Sequence, residues 1–262
     1  MTGKIIKAIT IVAACLAISV MFLFLCAREV PAQSTELRVL ISDGMEPSME
    51  ELIPRIERST GRKIKPHFDS SKRLEENVLG GEAFDVAILT SDVIDDLIKQ
   101  GKIVADTHVA VARTGIGVGV RAGAPKPDIS TPEALKRTLL NAKFISFNPT
   151  GASAVHNREM LERLGIAEEV KSKLLLDAGP GKPQMNVAEG KADLVFTLIP
   201  EIKFFPGVDF VGPVPADFQS YINFAAGAAT NTQNADASKA VIKFLTTPGA
   251  AATMRAKGVE PR

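Results

Sequence analysis

Three short segments carry the residue types that can hold a small anion without a charged side chain, namely hydroxyls, glycine and exposed backbone N–H groups. The first is Ser42-Asp43-Gly44-Met45, between a strand-like run and a helix-like one. Gly44 would let backbone approach a ligand, while Asp43 opposes a bare anion unless it caps the helix or points away. The second is Ser70-Ser71, followed by Lys72 and Arg73 in what would be the first helical turn. Cations there oppose the helix dipole, a conflict that a bound anion would remove and that solvent exposure would equally tolerate. The third is Asn148-Pro149-Thr150-Gly151-Ala152-Ser153, where Thr150 and Ser153 add hydroxyls and Gly151 and Ala152 leave the backbone uncovered. Each segment also reads as an ordinary helix start.

Other chemistries find less support. His67, His108 and His156 are far apart and belong to no metal-binding spacing, so no metal or cofactor is expected. His156 lies one turn past Ser153 and could line the same cleft. Gly115-Ile116-Gly117-Val118-Gly119 lacks the G-x-G-x-x-G spacing of a dinucleotide loop and runs on as a strand. There is no G-x-S-x-G elbow and no carboxylate pair with an evident reason for a shifted pKa. The expectation is a binding protein and not an enzyme. An exported hydrolase would need an acid, base and nucleophile clustered in the cleft.

The elements that must position these loops alternate between strand-length apolar runs and amphipathic stretches, the pattern of an α/β protein with mainly parallel sheet. Residues 36–41 (ELRVLI) read as a strand, and Met49, Leu52, Ile53 and Ile56 as the buried stripe of a helix that Gly61 stops. Residues 63–68 and 84–90 are predicted strands around a helix over 71–79. Asp92 is expected to cap the next helix, with Asp95 three residues on, and Gly101 to close it. Thr131-Pro132-Glu133 is a helix start. Strands are expected over 143–147 and 193–198, and helices over 152–164 and 239–246. The long runs 109–121 and 217–230 suit strands crossing between two lobes. Lobe 1 would comprise 33–112 and 222–262, and lobe 2 residues 113–221.

Residues 1–32 differ in kind from the rest. Lys4 and Lys7 precede a nearly unbroken apolar run over 8–26, and Val30-Pro31-Ala32 offers small residues for cleavage before Gln33. This reads as a signal peptide. An uncleaved anchor is the main alternative, because the run approaches the roughly 20 residues that span a bilayer. Lipidation at Cys15 or Cys26 is a lesser one. Both cysteines lie in this leader, so the mature chain would hold no disulfide or thiolate site. The whole chain has 31 Lys+Arg and 30 Asp+Glu; losing Lys4, Lys7, Arg28 and Glu29 leaves 28 against 29. A near-neutral chain with one Tyr, no Trp and no basic cluster is a poor nucleic-acid binder.

Four segments, in order, resemble the type II periplasmic solute-binding proteins of the molybdate-binding kind. They are Val39 through Gly44 with its helix; Asp69-Ser70-Ser71 through Gly80-Gly81-Glu82-Ala83-Phe84-Asp85-Val86; Val187-Ala188-Glu189-Gly190-Lys191-Ala192-Asp193; and the closing stretch 235–258. The resemblance implies a two-lobe α/β fold hinged on crossing strands. It also implies a monomer in the periplasm that closes on a small anion and delivers it to an ABC-type permease in the inner membrane. The ligand residues it implies are Ser42, Asp43, Gly44, Met45, Ser70 and Ser71 on one lobe, and Thr150, Gly151, Ala152 and Ser153 on the other. Molybdate or tungstate is the first ligand implied. A small organic anion is the alternative, as is a membrane-tethered sensor of the same fold. One position departs from the pattern: Leu198 stands where molybdate binders carry a tyrosine. A carboxylate ligand would call for an arginine fork from Arg73, Arg113 or Arg158.

Overall fold

In a computed structural model, residues 36–262 are described. The leader, its cleavage site and both cysteines lie outside them. Among the described residues no helix is long and apolar enough to cross a membrane.

The chain opens with β1 (Glu36–Ser42), a single 3-10 turn over Asp43–Met45, and α1 (Glu46–Thr60). Met49, Leu52 and Ile56 form the buried stripe of α1, Pro47 sits in its first turn, and Gly61 ends it in the left-handed region. There follow β2 (Lys63–Asp69), α2 (Ser71–Leu79), β3 (Val86–Thr90) and α3 (Ser91–Lys99). Asp92 does not cap α3: the cap position is Thr90, and Asp92 lies inside the first turn, where its charge still suits the dipole.

The long β4 (Val109–Arg121) comes next, then α4 (Pro132–Asn141), β5 (Ile145–Phe147), α5 (Ala154–Arg163) and α6 (Ala167–Val170). The Thr131 hydroxyl accepts from the Ala134 N–H, as a cap should. The predicted helix over 152–164 begins two residues late, because Ala152 and Ser153 belong to the loop and turn before it. The chain continues through β6 (Leu174–Leu176), α7 (Lys182–Ala188), β7 (Leu194–Leu198), α8 (Ile199–Lys203) and β8 (Val208–Pro213). It closes with β9 (Tyr221–Ala228), α9 (Ala235–Leu245), α10 (Pro248–Ala256) and β10 (Glu260–Pro261).

The sheet runs in the order β2-β1-β3-β9-β4-β7-β5-β6, with β8 and β10 also on β4. β1, β2 and β3 are parallel, as are β5, β6 and β7, while every strand paired to β4 is antiparallel to it. β4 joins the lobes. Its first half, up to Gly115, pairs with β9, and its second half, from Ile116, pairs with β7 and β8. At the crossing the Gln219 amide stands in for a strand: its Oε1 accepts from the Ile116 N–H at 2.7 Å and its Nε2 donates to the Ile116 carbonyl at 3.0 Å.

Each lobe's sheet is buried on both faces, which is why its strands read as unbroken apolar runs. In lobe 1, Val39 and Ile41 face α1, α9 and α10 while Leu40 faces α2 and α3. In lobe 2, Leu194 and Phe196 face one way and Val195 the other. Two aspartates of the recognised segments prove to be scaffolding. Buried Asp85 accepts from the Arg38 N–H, the Thr232 hydroxyl and the Asn234 amide. Asp193 accepts from the N–H groups of Lys143 and Phe144, an equivalent tie in lobe 2.

Candidate functional site

The three loops lie at the carboxyl ends of β1, β2 and β5, where open α/β sheets hold ligands. Three crevices there involve loops of both lobes. The first, about 440 Å³, is lined by Asp69, Ser70, Lys72, Arg73 and Glu76 on one side and by Thr150 and the 178–180 turn on the other. The second, about 380 Å³, lies between Asp43, Glu46 and Glu50 and the lobe 2 residues Gln184, Glu201, Phe204 and Phe205. Pro180 borders both. A third, about 370 Å³, brings Thr90, Ser91 and Asp92 opposite Ala152, Val155 and His156.

The predicted residues separate by what their side chains do. Ser70 caps α2, its hydroxyl accepting from the Arg73 N–H at 3.4 Å, a long bond that leaves capacity for a ligand. The Ser71 hydroxyl instead accepts from the buried Thr90 N–H at 3.0 Å and ties α2 to β3. Thr150 donates through both its N–H and hydroxyl to Asn148 Oδ1, which folds the third loop into a tight turn. Ser153 is buried and accepts from Asn157. Met45 is wholly inside the lobe 1 core. Gly44 is held by lack of room and not by conformation: a Cβ there would come 2.5 Å from Leu198 Cδ1 and 2.8 Å from Phe224 Cζ. Leu198 and Ala152, both from lobe 2, pack against the lobe 1 core. At the expected tyrosine position there is therefore an apolar plug and no hydroxyl.

Asp43 turns back onto its own loop. Its Oδ1 accepts from the Gly44 N–H at 2.9 Å and from the Ser42 hydroxyl at 3.3 Å, so the carboxylate occupies donors that an anionic ligand would want. Burial pushes its pKa up to about 6, with those two hydrogen bonds pulling the other way and Asp69 adding repulsion. Glu201 is raised well above the usual carboxylate range, first by burial and then by the charge of Asp43. It accepts from the Thr197 hydroxyl and from Gln184 Nε2. Glu46 is raised by burial and then by Glu50 and Asp43.

The cations after Ser70 are answered within their own helix: Lys72 pairs with Glu75 at 2.6 Å and Arg73 with Glu76 at 3.3 Å. Of the three candidate arginines, Arg73 lines the crevice. Arg113 pairs with Glu260 and stacks on Tyr221, and Arg158 donates to the Pro149 carbonyl. Among the described residues no group of three or more His, Cys, Asp and Glu side chains could hold a metal ion. The 177–181 turn and the Gln184–Glu201 pair escaped the sequence reading. The one sign was Gly179-Pro180-Gly181 ahead of a Lys-Pro helix start.

The family described as bacterial extracellular solute-binding protein matches residues 37–260, nearly all that the structure describes. The chain belongs to that family. This solute-binding protein is 28% identical over 233 residues to an aconitate isomerase of Pseudomonas sp., covering 87% of this chain and 88% of the relative. It is 26% identical over 236 residues to the molybdate-binding protein ModA of Azotobacter vinelandii, covering 87% and 90%. Among solved structures, the periplasmic molybdate-binding protein of Azotobacter vinelandii superposes with a TM-score of 0.73 at 19% identity, covering 85% of this chain and 98% of that one. The two-lobe fold is thereby shared with a binding protein, and both sequence relatives span the length of this one.

Proposed function

We propose that this protein is the extracytoplasmic binding component of an ABC-type importer, a non-catalytic receptor that closes two lobes on a small organic acid anion. The lobes are taken as 33–112 with 222–262, and 113–221, with a cleavable leader before them and the inner-membrane permease as partner. The observation that carries the ligand class is Arg73, placed with Ser70 and Thr150 in a crevice walled by both lobes. A guanidinium beside hydroxyls suits a carboxylate, which it can hold through two parallel hydrogen bonds. Asp43 and Leu198 add support from the other side. One covers the loop donors and the other supplies no hydroxyl, so a bare tetrahedral dianion loses two sets of contacts.

A molybdate- or tungstate-type oxyanion is the second reading, favoured by the likeness to the Azotobacter protein over almost its whole length. The relative named for an aconitate isomerase favours a carboxylate. Ligand that binds only the folded chain at 100 times its Kd adds about 2.7 kcal/mol of stability. Melting of the full chain with molybdate, tungstate, sulfate, citrate, aconitate and smaller carboxylates is the test. Stabilisation by carboxylates and not by the oxyanions is expected. Stabilisation by molybdate and tungstate alone would overturn the organic-acid reading.

A further inference from the structure

The crevice between Asp43 and Glu201 is unlike the one at Arg73, because its ionisable side chains are all carboxylates and no lysine or arginine lines it. Asp43, Glu46 and Glu50 enter it from lobe 1 and Glu201 from lobe 2. None of the four is in an ion pair within 4.0 Å among the described residues. Lys257 reaches the neighbourhood by stacking on Phe204, yet its ion pair is with Glu51.

Gln184 makes the case independently of the charges. It is 3% exposed, its Nε2 already donates to Glu201, and its Oε1 is buried without a partner. An orphaned buried acceptor is costly, on the order of 1–3 kcal/mol, and calls for a donor. Carboxylates from both lobes and an unused amide oxygen therefore ask for the same thing, a compact group with several N–H donors. The aromatic Phe204 and Phe205 in the same wall suit a cation as well. The space is larger than a bare ion needs, and no metal-binding cluster is formed there by the described residues.

We propose that this crevice receives an ammonium group, so that the solute is an amino-acid-like acid: its carboxylate lies at Ser70, Arg73 and Thr150, and its ammonium lies between Asp43, Glu201 and Gln184. The proposal rests on the organic-acid reading and narrows it. Pro180 borders both crevices, which makes them neighbours, and the proposal has one small molecule reach from one to the other. Because the ammonium touches both lobes, it stabilises the closed form in particular. Burial, with repulsion between the carboxylates, raises these carboxyl pKa values, and a bound ammonium would oppose that rise. Binding then releases a proton from Asp43 below about pH 6, and affinity falls on the order of tenfold for each further unit.

Matched pairs test this on the full chain: aspartate against succinate and glutamate against glutarate, by calorimetric titration at pH 8 and pH 5. The amino member is expected to bind at least tenfold more tightly at pH 8, with the preference lost at pH 5 and in Asp43→Asn and Glu201→Gln. The wild-type comparison at two pH values decides the matter even if a variant folds poorly. If succinate or glutarate binds as well as its amino partner at pH 8, the ammonium site is overturned and the organic-acid reading survives. If neither pair binds while molybdate does, both fall.

Discussion

Asp43 makes the most testable demand at the scale of single residues. Its folded pKa of about 6 exceeds the roughly 4 of an unfolded chain, so folding favours the protonated form. The stabilising contribution is complete below about pH 4 and is lost as pH rises through about 6. Asp43→Asn keeps the acceptor for Gly44 and removes the ionisation. It should be about 1–3 kcal/mol more stable than wild type at pH 8 and no more stable at pH 3.5, as urea melts at the two pH values will show. Arg73→Ala should lower affinity for the best-binding carboxylate by tenfold or more, the worth of a charge-assisted hydrogen bond. Because Arg73 is exposed and paired only within its helix, its loss should barely move the melting temperature.

Sequence showed the candidate loops as types and places, but not how their hydroxyls are used. Ser70 and Ser71 look interchangeable as letters, yet one caps a helix at the cleft and the other holds β3. Glu201 was invisible because its meaning comes from Asp43 on the other lobe, far away in the chain.

The elements themselves were largely legible. Gly61 and Thr131 announced helix ends by local chemistry, and the buried strands announced themselves by apolar runs. What failed was local: the assignment of a cap to Asp92, and the short β6, α8 and β10, whose existence depends on pairing and packing partners distant in sequence. Around β4, substitutions act through contact. A Cβ at Gly119 would sit 2.8 Å from side chains of Ile202, Val195 and Val208, so Gly119→Ala should cost about 1–3 kcal/mol in a denaturant melt. Gln219→Ala removes both hydrogen bonds to Ile116 and should cost a similar amount. Faster amide exchange centred on Ile116 would mark the effect as local, while uniform acceleration would deny the amide its place at the crossing.

For the whole molecule, the long strand and the Gly-rich run over 115–119 gave away the two-lobe plan. Lobe contact did not show in sequence, because Leu198 reads as one more strand residue until it is found against Gly44 and Phe224. The solute should draw the lobes together, and small-angle scattering should report a smaller radius of gyration on addition of a binding carboxylate. An unchanged radius, with binding established separately, would mean that the ligand enters a cleft already shut.

The crossing at Ile116 has a consequence for how such a closure ends. A ladder of strand hydrogen bonds yields only as a unit, whereas one amide can let go and refasten alone. Irregular register on either side, between Ala110 and Ala112 and between Val118 and Gly119, leaves slack in the strand around that fastening. Gln219 is thus placed like a buckle on a strap: at that point of the crossing one side chain, and not a whole ladder, holds the strand.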